Sequence, residues 1–189
     1  NPTTYSEEIW FKSNADTRGG LLMGFGSSSS GSSWSYDRQV YMTDAGRVRF
    51  NANPGQNVVL ESPSSYNDRQ WHHVVATQSA QGMRLYLDGI LVASNTVATA
   101  ENYSGFWRVG YDNVWSGSSF RNFLGQLDEA AFYGSALSAG DVKAHFDSGR
   151  LRPNALPTSA FTTTTSALTV GVDASAASDS DGTIASYSW

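Results

Sequence analysis

Two carboxylates near the carboxyl end of the chain are placed to bind a metal ion. Asp179 and Asp181 are separated by one serine and followed by Gly182, so a single tight turn carries both acidic side chains. Neighbouring carboxylates repel each other, and a hard divalent cation with further oxygen ligands relieves that repulsion. The spacing predicts a calcium site at this turn, with a solvated turn as the alternative.

The remaining acidic and nucleophilic residues are not arranged for catalysis. Glycoside hydrolysis needs two carboxyl groups roughly 5 to 9 Å apart, and the sequence has no Glu-x-Asp-x-x-Glu cluster. Glu7 and Glu8 are adjacent and point to opposite faces of a strand, as do His72 and His73, so neither pair shares a site. Without cysteine or a Gly-x-Ser-x-Gly elbow, no covalent nucleophile is indicated. We expect a non-catalytic chain with no organic cofactor.

Aromatic and amide side chains indicate sugar binding instead. The polar face of one predicted hairpin carries Tyr41, Arg49 and Asn51, whose planar hydrogen-bonding groups and ring suit the hydroxyls and apolar faces of a sugar. Trp115 lies in a glycine-containing segment and Trp34 follows a Ser/Gly-rich loop, and binding residues are often found on such loops. The alternative for both tryptophans is that they fold back and cap the core. A polysaccharide or glycan is the expected partner.

Composition and charge exclude other partners. The chain has 189 residues, of which 15% are charged and 18 are glycine, values typical of an all-β secreted domain with many turns. A net charge of −5 with scattered basic residues argues against nucleic acid, which needs clustered Lys and Arg. Because the sequence has no run of about 18 apolar residues, we expect no membrane insertion.

The loop Asp44-Ala45-Gly46 predicts the hairpin that carries the polar face. Gly46 supplies the left-handed position of a three-residue loop, which fixes the register of the flanking strands. The predicted pairs are Met42 with Val48, Val40 with Phe50, Tyr41 with Arg49, and Gln39 with Asn51. Because side chains alternate along a strand, the first two pairs face the core and the last two face solvent.

Asp88-Gly89 predicts a second hairpin, with a type I′ turn. In this hairpin Leu87 pairs with Ile90 and Leu85 with Val92. All four aliphatic side chains are expected to face the core.

One helix is predicted, over residues 137–146. Ser138 is its N-cap, Asp141 is a capping-box acid three residues later, and Gly149 marks the end. Residues 150–157 contain two prolines and predict a linker to a second module.

Four ordered motifs resemble the LamG-like, concanavalin A-like jelly roll. They are Ser6-Glu-Glu-Ile-Trp-Phe-Lys12, Trp71-His-His-Val-Val75, Leu85-Tyr-Leu-Asp-Gly89 and the segment from Gly125 to Ser138. The resemblance implies an all-β fold over residues 1–149: a two-sheet antiparallel jelly-roll sandwich with one short C-terminal helix. Members of this family often begin one or more strands earlier, which implies that the amino end is truncated.

Two large tryptophans on predicted strands, and two acids at the predicted rim, also have expected roles. Trp10 and Trp71 are expected to anchor the core. In laminin-G-type domains, acidic groups at the rim hold calcium, and the matching candidates are Asp37 and Asp112.

The chain from Asn154 onward resembles the opening of a polycystic-kidney-disease (PKD) repeat. The resemblance rests on Asn154-Ala-Leu-Pro157 and on the segment from Asp173 to Trp189. It implies that residues 158–189 are the N-terminal part of a PKD domain, a partial β-sandwich. In PKD modules of secreted bacterial collagenases an Asn at the module's start joins the acidic pair in binding calcium, which adds Asn154 to Asp179 and Asp181.

The order of the two modules resembles that of large secreted or surface bacterial proteins. We therefore expect a secreted or cell-surface location, with other domains of the same polypeptide as partners. The expected function is a non-catalytic carbohydrate- or surface-binding module that serves adhesion. The alternative is a structural spacer in a surface protein, or an accessory region of a secreted polysaccharide- or protein-degrading enzyme.

Overall fold

The computed structural model describes residues 1–14, 18–150, 158, 160–167 and 169–178. The chain divides into two compact units, Asn1–Asp147 and Ser148–Trp189. The described residues form these strands and helix: β1 (Tyr5–Ser13), β2 (Gly20–Gly26), β3 (Tyr36–Met42), β4 (Arg47–Ala52), β5 (Val58–Ser65), β6 (His72–Ser79), β7 (Gly82–Leu87), β8 (Ile90–Ser94), β9 (Phe106–Val109), β10 (Gly125–Tyr133), α1 (Ala139–Gly149), β11 (Thr162–Ser166) and β12 (Thr169–Asp173).

The first unit is a sandwich of two antiparallel five-stranded sheets, as predicted. Sheet one has the strand order β10-β1-β6-β7-β8, and sheet two has the order β5-β4-β3-β2-β9. Side chains that alternate inward from both sheets form one apolar core. Most of its buried members are aliphatic or aromatic: Tyr5, Ile9, Phe11, Leu22, Met23, Val40, Met42, Val48, Phe50, Ala52, Leu60, Val74, Ala76, Met83, Leu85, Leu87 and Phe123.

The hairpin of β3 and β4 has the predicted register at all four pairs. Gly46 has a φ of 78°, as its place in the three-residue loop requires. This register places Val40 and Phe50 in the core and turns Tyr41 and Arg49 to the other face.

The predicted register of the second hairpin is correct at the turn and wrong beyond it. Asp88 and Gly89 have φ values of 51° and 77°, and Leu87 pairs with Ile90. A register shift between Leu85 and Tyr86 then pairs Leu85 with Ala93 instead of Val92. Ile90 is 65% exposed, because it is the first residue of the edge strand β8. Val92 is only partly buried against the core.

The two predicted tryptophan anchors also differ from expectation. Trp10 is buried, but it stacks on Phe146 of α1 at 5.8 Å between ring centroids rather than filling the space between the sheets. Trp71 is half-buried and is not part of the core.

Glu8 connects sheet one to the helix. Its carboxylate accepts hydrogen bonds from His73 at 2.7 Å, from the Tyr133 hydroxyl at 2.7 Å and from His145 at 3.0 Å. Burial opposes ionisation, but these hydrogen bonds outweigh it and lower the pKa of Glu8 to about 2. The carboxylate is therefore a charged clasp between β1, β6, β10 and α1.

The helix begins as its sequence predicts and ends three residues later. The Asp141 amide donates to the Ser138 hydroxyl at 3.1 Å, and the Asp141 carboxylate accepts from the Ser138 amide at 3.1 Å. This reciprocal pair is a capping box. Val142 is fully buried against Val75 and Tyr86, so α1 covers part of the outer side of sheet one.

The second unit contains a two-stranded antiparallel sheet of β11 and β12, in which Thr162 pairs with Asp173. All residues of both strands are exposed. Residues 151–157 of the predicted linker 150–157, with the calcium-ligand candidate Asn154, lie outside the described residues. So does the acidic turn at Asp179 and Asp181.

Glu7 is a buried acid without a partner. It lies on the core side of β1, is fully buried, and neither carboxyl oxygen has a hydrogen-bond partner. Burial, with a smaller contribution from nearby Asp37, raises its pKa well above the ordinary value. The folded protein therefore keeps this proton at pH values where the unfolded chain has released it, above about pH 4.5.

This proton makes stability depend on pH. Above the unfolded pKa only the native state binds the proton, so the free energy of unfolding should fall with rising pH, by at most about 1.4 kcal/mol per unit, until the folded pKa is reached. Glu7→Gln should remove this slope. Urea titrations from pH 5 to 8 measure it, with the exposed Glu129→Gln as control. A wild-type slope that survives in Glu7→Gln would show that another group carries it.

Candidate ligand-binding site

The outer face of sheet two, here meaning Gln39, Tyr41, Arg49 and Asn51, is the surface predicted to bind sugar. Gln39 pairs with Asn51 and Tyr41 pairs with Arg49 across β3 and β4, so the four side chains form a compact polar patch. Their neighbours along the strands point into the core, which fixes the patch on the opposite side.

A loop of residues 112–118, here called the cover loop, lies over this face. It contains Asp112-Asn113-Val114-Trp115-Ser116-Gly117-Ser118. Three hydrogen bonds from the sheet and its turns hold the loop in place: Gln39 Nε2 to the Asn113 carbonyl at 2.6 Å, Arg49 Nη1 to the Ser116 carbonyl at 2.9 Å, and the Asp44 amide to the Gly117 carbonyl at 2.8 Å. In the other direction, the Trp115 indole N–H donates to the Tyr36 carbonyl at 2.9 Å.

The expectation that both outer pairs face solvent is therefore wrong for three of their four side chains. Tyr41 and Asn51 are fully buried and Gln39 is 1% exposed, with the cover loop lying over this face. Of the predicted binding residues on this face, Arg49 alone keeps a partly exposed side chain, at 24%. Its guanidinium also pairs with Glu61 of β5, at 2.5 Å.

Two buried amide oxygens on this face, Gln39 Oε1 and Asn51 Oδ1, have no hydrogen-bond partner. Burial raises the pKa of the Tyr41 hydroxyl, and hydrogen bonds with Arg49 and Ser116 oppose that rise. An unpartnered buried polar atom is destabilising by about 1 to 3 kcal/mol, so two on one face are unusual.

Asp112 anchors the start of the cover loop. Its carboxylate accepts hydrogen bonds from the Ser33 amide and hydroxyl, both at 2.7 Å, and from the Asn113 amide at 2.8 Å, with Arg108 at 3.4 Å. Both oxygens are thus occupied by donors, and the residue is buried. This arrangement does not support the calcium role predicted for Asp112, and it explains why the loop lies where it does.

Asp37 has a comparable structural role. It is fully buried, forms a 2.6 Å ion pair with Arg38, and accepts from the amides of Asn53 and Glu101 at 3.1 and 2.9 Å. Burial raises the pKa of Asp37, and Arg38 opposes that rise. Among the described residues no group of three or more His, Asp or Glu side chains could hold a metal ion, so the calcium role predicted for Asp37 is also unsupported.

Replacing Asp37 should test which role it has. Asp37→Ala leaves the Arg38 guanidinium buried without its partner, and the free energy of unfolding should fall by about 3 to 5 kcal/mol. Guanidinium titrations in calcium and in chelator should give the same loss. As a control, Asp37→Leu combined with Arg38→Met should recover much of the stability. A loss seen only in calcium would indicate a metal ligand instead.

Three aromatic side chains, Trp34, Tyr36 and Trp115, form what is here called the aromatic rim. The rings of Tyr36 and Trp115 lie 5.4 Å apart between centroids at an angle of 44°. Trp34 is 94% exposed, although its amide is tied to the Ser27 hydroxyl at 3.2 Å. Ser33, the preceding residue, donates to Asp112, so the loop that carries Trp34 is fixed to the start of the cover loop.

Sequence reasoning identified the two tryptophans but not the contacts that place them. The half-buried Trp115 packs on Tyr36, whereas Trp34 points into solvent. Arg108 was missed because its sequence context is that of an ordinary strand residue. In the structure it donates to the carbonyls of Ser28 and Gly31 at 2.6 and 2.9 Å, which holds the serine-rich loop. In the sequence, the glycine and serine residues of the serine-rich loop and of the cover loop were the only sign that the two loops are connected.

Comparison with known proteins identifies the family of this chain. The family model Laminin_G_3, described as the concanavalin A-like lectin/glucanases superfamily, matches residues 1–143, and the chain belongs to this family. A search of the curated proteins gave no match.

Several solved structures share the fold. CBM40 of the Ruminococcus gnavus IT-sialidase, solved bound to α2,3-sialyllactose, is 18% identical with a TM-score of 0.55, over 76% of this chain and 82% of that chain. A heptameric SAP-like pentraxin from Limulus polyphemus is 17% identical with a TM-score of 0.57, over 80% and 73%. The K499G mutant of NanB sialidase from Streptococcus pneumoniae is 21% identical with a TM-score of 0.58, and this chain covers 24% of it.

These likenesses define the class of protein. The chain has the fold of a lectin-type or carbohydrate-binding module, a class that is typically non-catalytic. In the part of the chain that the structure describes, no helix is both long enough and apolar enough to span a membrane.

Proposed function

We propose that the first unit is a non-catalytic module that binds a polysaccharide or glycan at the aromatic rim. The observation that carries this proposal is the 94% exposure of Trp34 on a loop fixed by hydrogen bonds. A large apolar ring held in solvent on a fixed loop is available to a ligand, and tryptophan is enriched where binding energy is concentrated.

The chemistry of the rim suits a sugar. The apolar face of a pyranose ring can stack on the indole of Trp34 or Trp115, while the partly exposed Arg49 and the polar groups of the cover loop meet its hydroxyls. Family membership supports the same reading, since lectins share this fold.

A structural spacer, or an accessory region of a secreted enzyme, is the second candidate. The observation that favours it is the closed outer face, because a binding module should keep an open groove beside Tyr41 and Arg49 whereas a spacer should have that face covered. A spacer needs no ligand, and its exposed tryptophan would contact a neighbouring domain of the same polypeptide. Binding measurements on the rim separate the two candidates.

Substituting the rim tryptophans tests the binding proposal. Each aromatic platform contributes about 0.5 to 1.5 kcal/mol to binding beyond its buried area. Trp34→Ala and Trp115→Ala should therefore each lower the affinity for a glycan at least severalfold. A glycan array followed by calorimetry measures this, with Ile90→Ala on the opposite sheet as control. Unchanged affinity in both tryptophan variants would refute the rim as the binding site.

We further propose that the chain belongs to a larger secreted or cell-surface protein whose next module is of PKD type. The support is the sequence from Asn154 to Trp189, with its acidic turn at Asp179 and Asp181. The acidic pair and Asn154 would bind calcium, with carbonyl and water oxygens completing the shell.

Calcium should then stabilise the second unit. A ligand that binds only the folded state stabilises that state and raises the melting temperature of the protein. The stabilisation grows with the logarithm of the free ligand concentration once that concentration exceeds the dissociation constant. Scanning calorimetry in calcium and in chelator measures the shift, and Asp181→Ala should abolish it. If the two scans coincide, the acidic turn is merely solvated and the stability of the second unit does not depend on calcium.

A further inference from the structure

We infer that the first unit binds an acidic sugar, whose carboxylate or sulfate group is held by Ser32, Tyr111 and Arg121 beside Trp34. These three polar residues are here called the arginine corner. The ligand class rests on the proposed glycan-binding function and specifies the kind of sugar that the aromatic rim takes. The side chains of the corner belong neither to the aromatic rim nor to the cover loop.

Hydrogen bonds join the three side chains of the arginine corner. Arg121 Nη1 donates to the Ser32 hydroxyl at 3.0 Å, and the hydroxyl oxygens of Ser32 and Tyr111 lie 3.3 Å apart. The hydrogen bond with Ser32, with a smaller effect of Arg121, lowers the pKa of the Tyr111 hydroxyl, so the guanidinium acts on both hydroxyls. The corner is therefore one connected cluster, although its members come from distant parts of the sequence.

The backbone beneath the corner is fixed. Asn122, the residue after Arg121, forms an antiparallel bridge to Tyr111. The Arg121 carbonyl accepts a hydrogen bond from the Leu21 amide of β2 at 3.1 Å. Because the backbone is already held in place, a ligand that binds the corner loses little free energy to ordering it.

The corner has hydrogen-bond donors left for a ligand. A guanidinium carries five N–H groups, and Arg121 donates one of them to Ser32. The two hydroxyls carry one hydrogen each, and the bond between Ser32 and Tyr111 uses one of these, whichever residue donates. Tyr111 and Arg121 are exposed, so a ligand can reach the remaining donors. Carboxylate and sulfate groups present several acceptor oxygens and match such a set.

The charge of Arg121 is not balanced by a neighbouring acid. Among the described residues Arg121 forms no ion pair. Asp112 also acts on Tyr111, but its carboxylate is buried and lies 3.4 Å from the Arg108 guanidinium, which balances its charge. A neutral sugar would leave the Arg121 guanidinium without a counter-charge, whereas an acidic sugar supplies one.

The outer face of sheet two adds to the positive charge on this side of the unit. Arg47 and Arg49 share one acid, Glu61, at 3.8 and 2.5 Å. This excess attracts acidic ligands at long range. It is distinct from the corner and therefore supplies a control for it.

The exposed ring of Trp34 is close enough to the corner to bind the same sugar. Ser32 and Trp34 are separated by one residue, so their Cα atoms are at most about 7 Å apart. The residue between them, Ser33, is buried and donates to Asp112 at 2.7 Å, which fixes the loop at this point. A sugar ring stacked on the indole can therefore direct an acidic substituent toward Arg121.

Calorimetry on the full chain with two matched pairs of oligosaccharides tests the ligand class. One pair is glucuronosyl-xylotriose and neutral xylotetraose, and the other is neocarrabiose sulfate and neutral neocarrabiose. At least one acidic member should bind more tightly than its neutral counterpart, and the pair that responds distinguishes carboxylate from sulfate. Added salt should weaken the binding of that acidic probe, because an exposed charge pair is screened.

Substitutions in the corner locate the acidic group. Arg121→Gln should lower the affinity for the acidic probe about tenfold, the effect of a lost charged hydrogen bond, and should remove the preference over the neutral member. Tyr111→Phe and Ser32→Ala should each lower that affinity severalfold. Arg47→Gln removes the same charge from the outer face and is the matched control, with little effect expected. The melting temperatures of all four variants should stay close to that of the wild type.

The outcomes separate this site from the rim. Equal affinity for the acidic and neutral members overturns the acidic-sugar assignment, and a loss of that binding in Trp34→Ala would still support the rim. Equal losses in Arg121→Gln and Arg47→Gln would indicate general attraction to positive charge and overturn the corner as the site. If neither acidic probe binds, the inference is overturned, and the glycan-binding function is then decided by Trp34→Ala and Trp115→Ala on the glycans of the array.

Discussion

The buried ion pair of Arg38 and Asp37 is the interaction on which the loops of the first unit depend. The Arg38 guanidinium donates to the Asp37 carboxylate at 2.6 Å and to the carbonyls of Pro2 and Glu101 at 2.9 and 2.7 Å. Taking two charges out of water is unfavourable by several kcal/mol unless hydrogen bonds satisfy both groups, and here they do. The pair thus joins the amino end, β3 and the segment before β9, all of which border sheet two.

The outer face of sheet two is closed by different contacts, the hydrogen bonds from Gln39 and Arg49 to the cover loop. Polar side chains on β3 are either used inside the fold, as Asp37 and Arg38 are, or lie under the cover loop, as Gln39 and Tyr41 do. The aromatic rim, where we propose that a ligand binds, lies beside this support. Of its three residues only Tyr36 belongs to β3, where it precedes the ion pair of Asp37 and Arg38.

Local rules predicted the sandwich well and the site poorly. The Asp44-Ala45-Gly46 loop sets the register of β3 and β4 by backbone geometry alone, so all four pairs are correct. The bulge after Leu85 is not marked by glycine or by another turn residue. The predicted pairing of Leu85 with Val92 is therefore wrong. Burial of Tyr41 depends on a loop some 70 residues later in the chain, and alternation along a strand carries no information about what covers its outer side.

The Glu8 clasp has a consequence for how the module folds. β1 pairs with β10, with Ser6 opposite Tyr133, and Glu8 accepts a hydrogen bond from His145 at a separation of 137 residues. Contacts this distant along the chain slow folding, because a long loop must close before they form. β1 can pair with β6 as soon as that strand has been synthesised, but its other edge stays unpaired until β10 and the helix have followed.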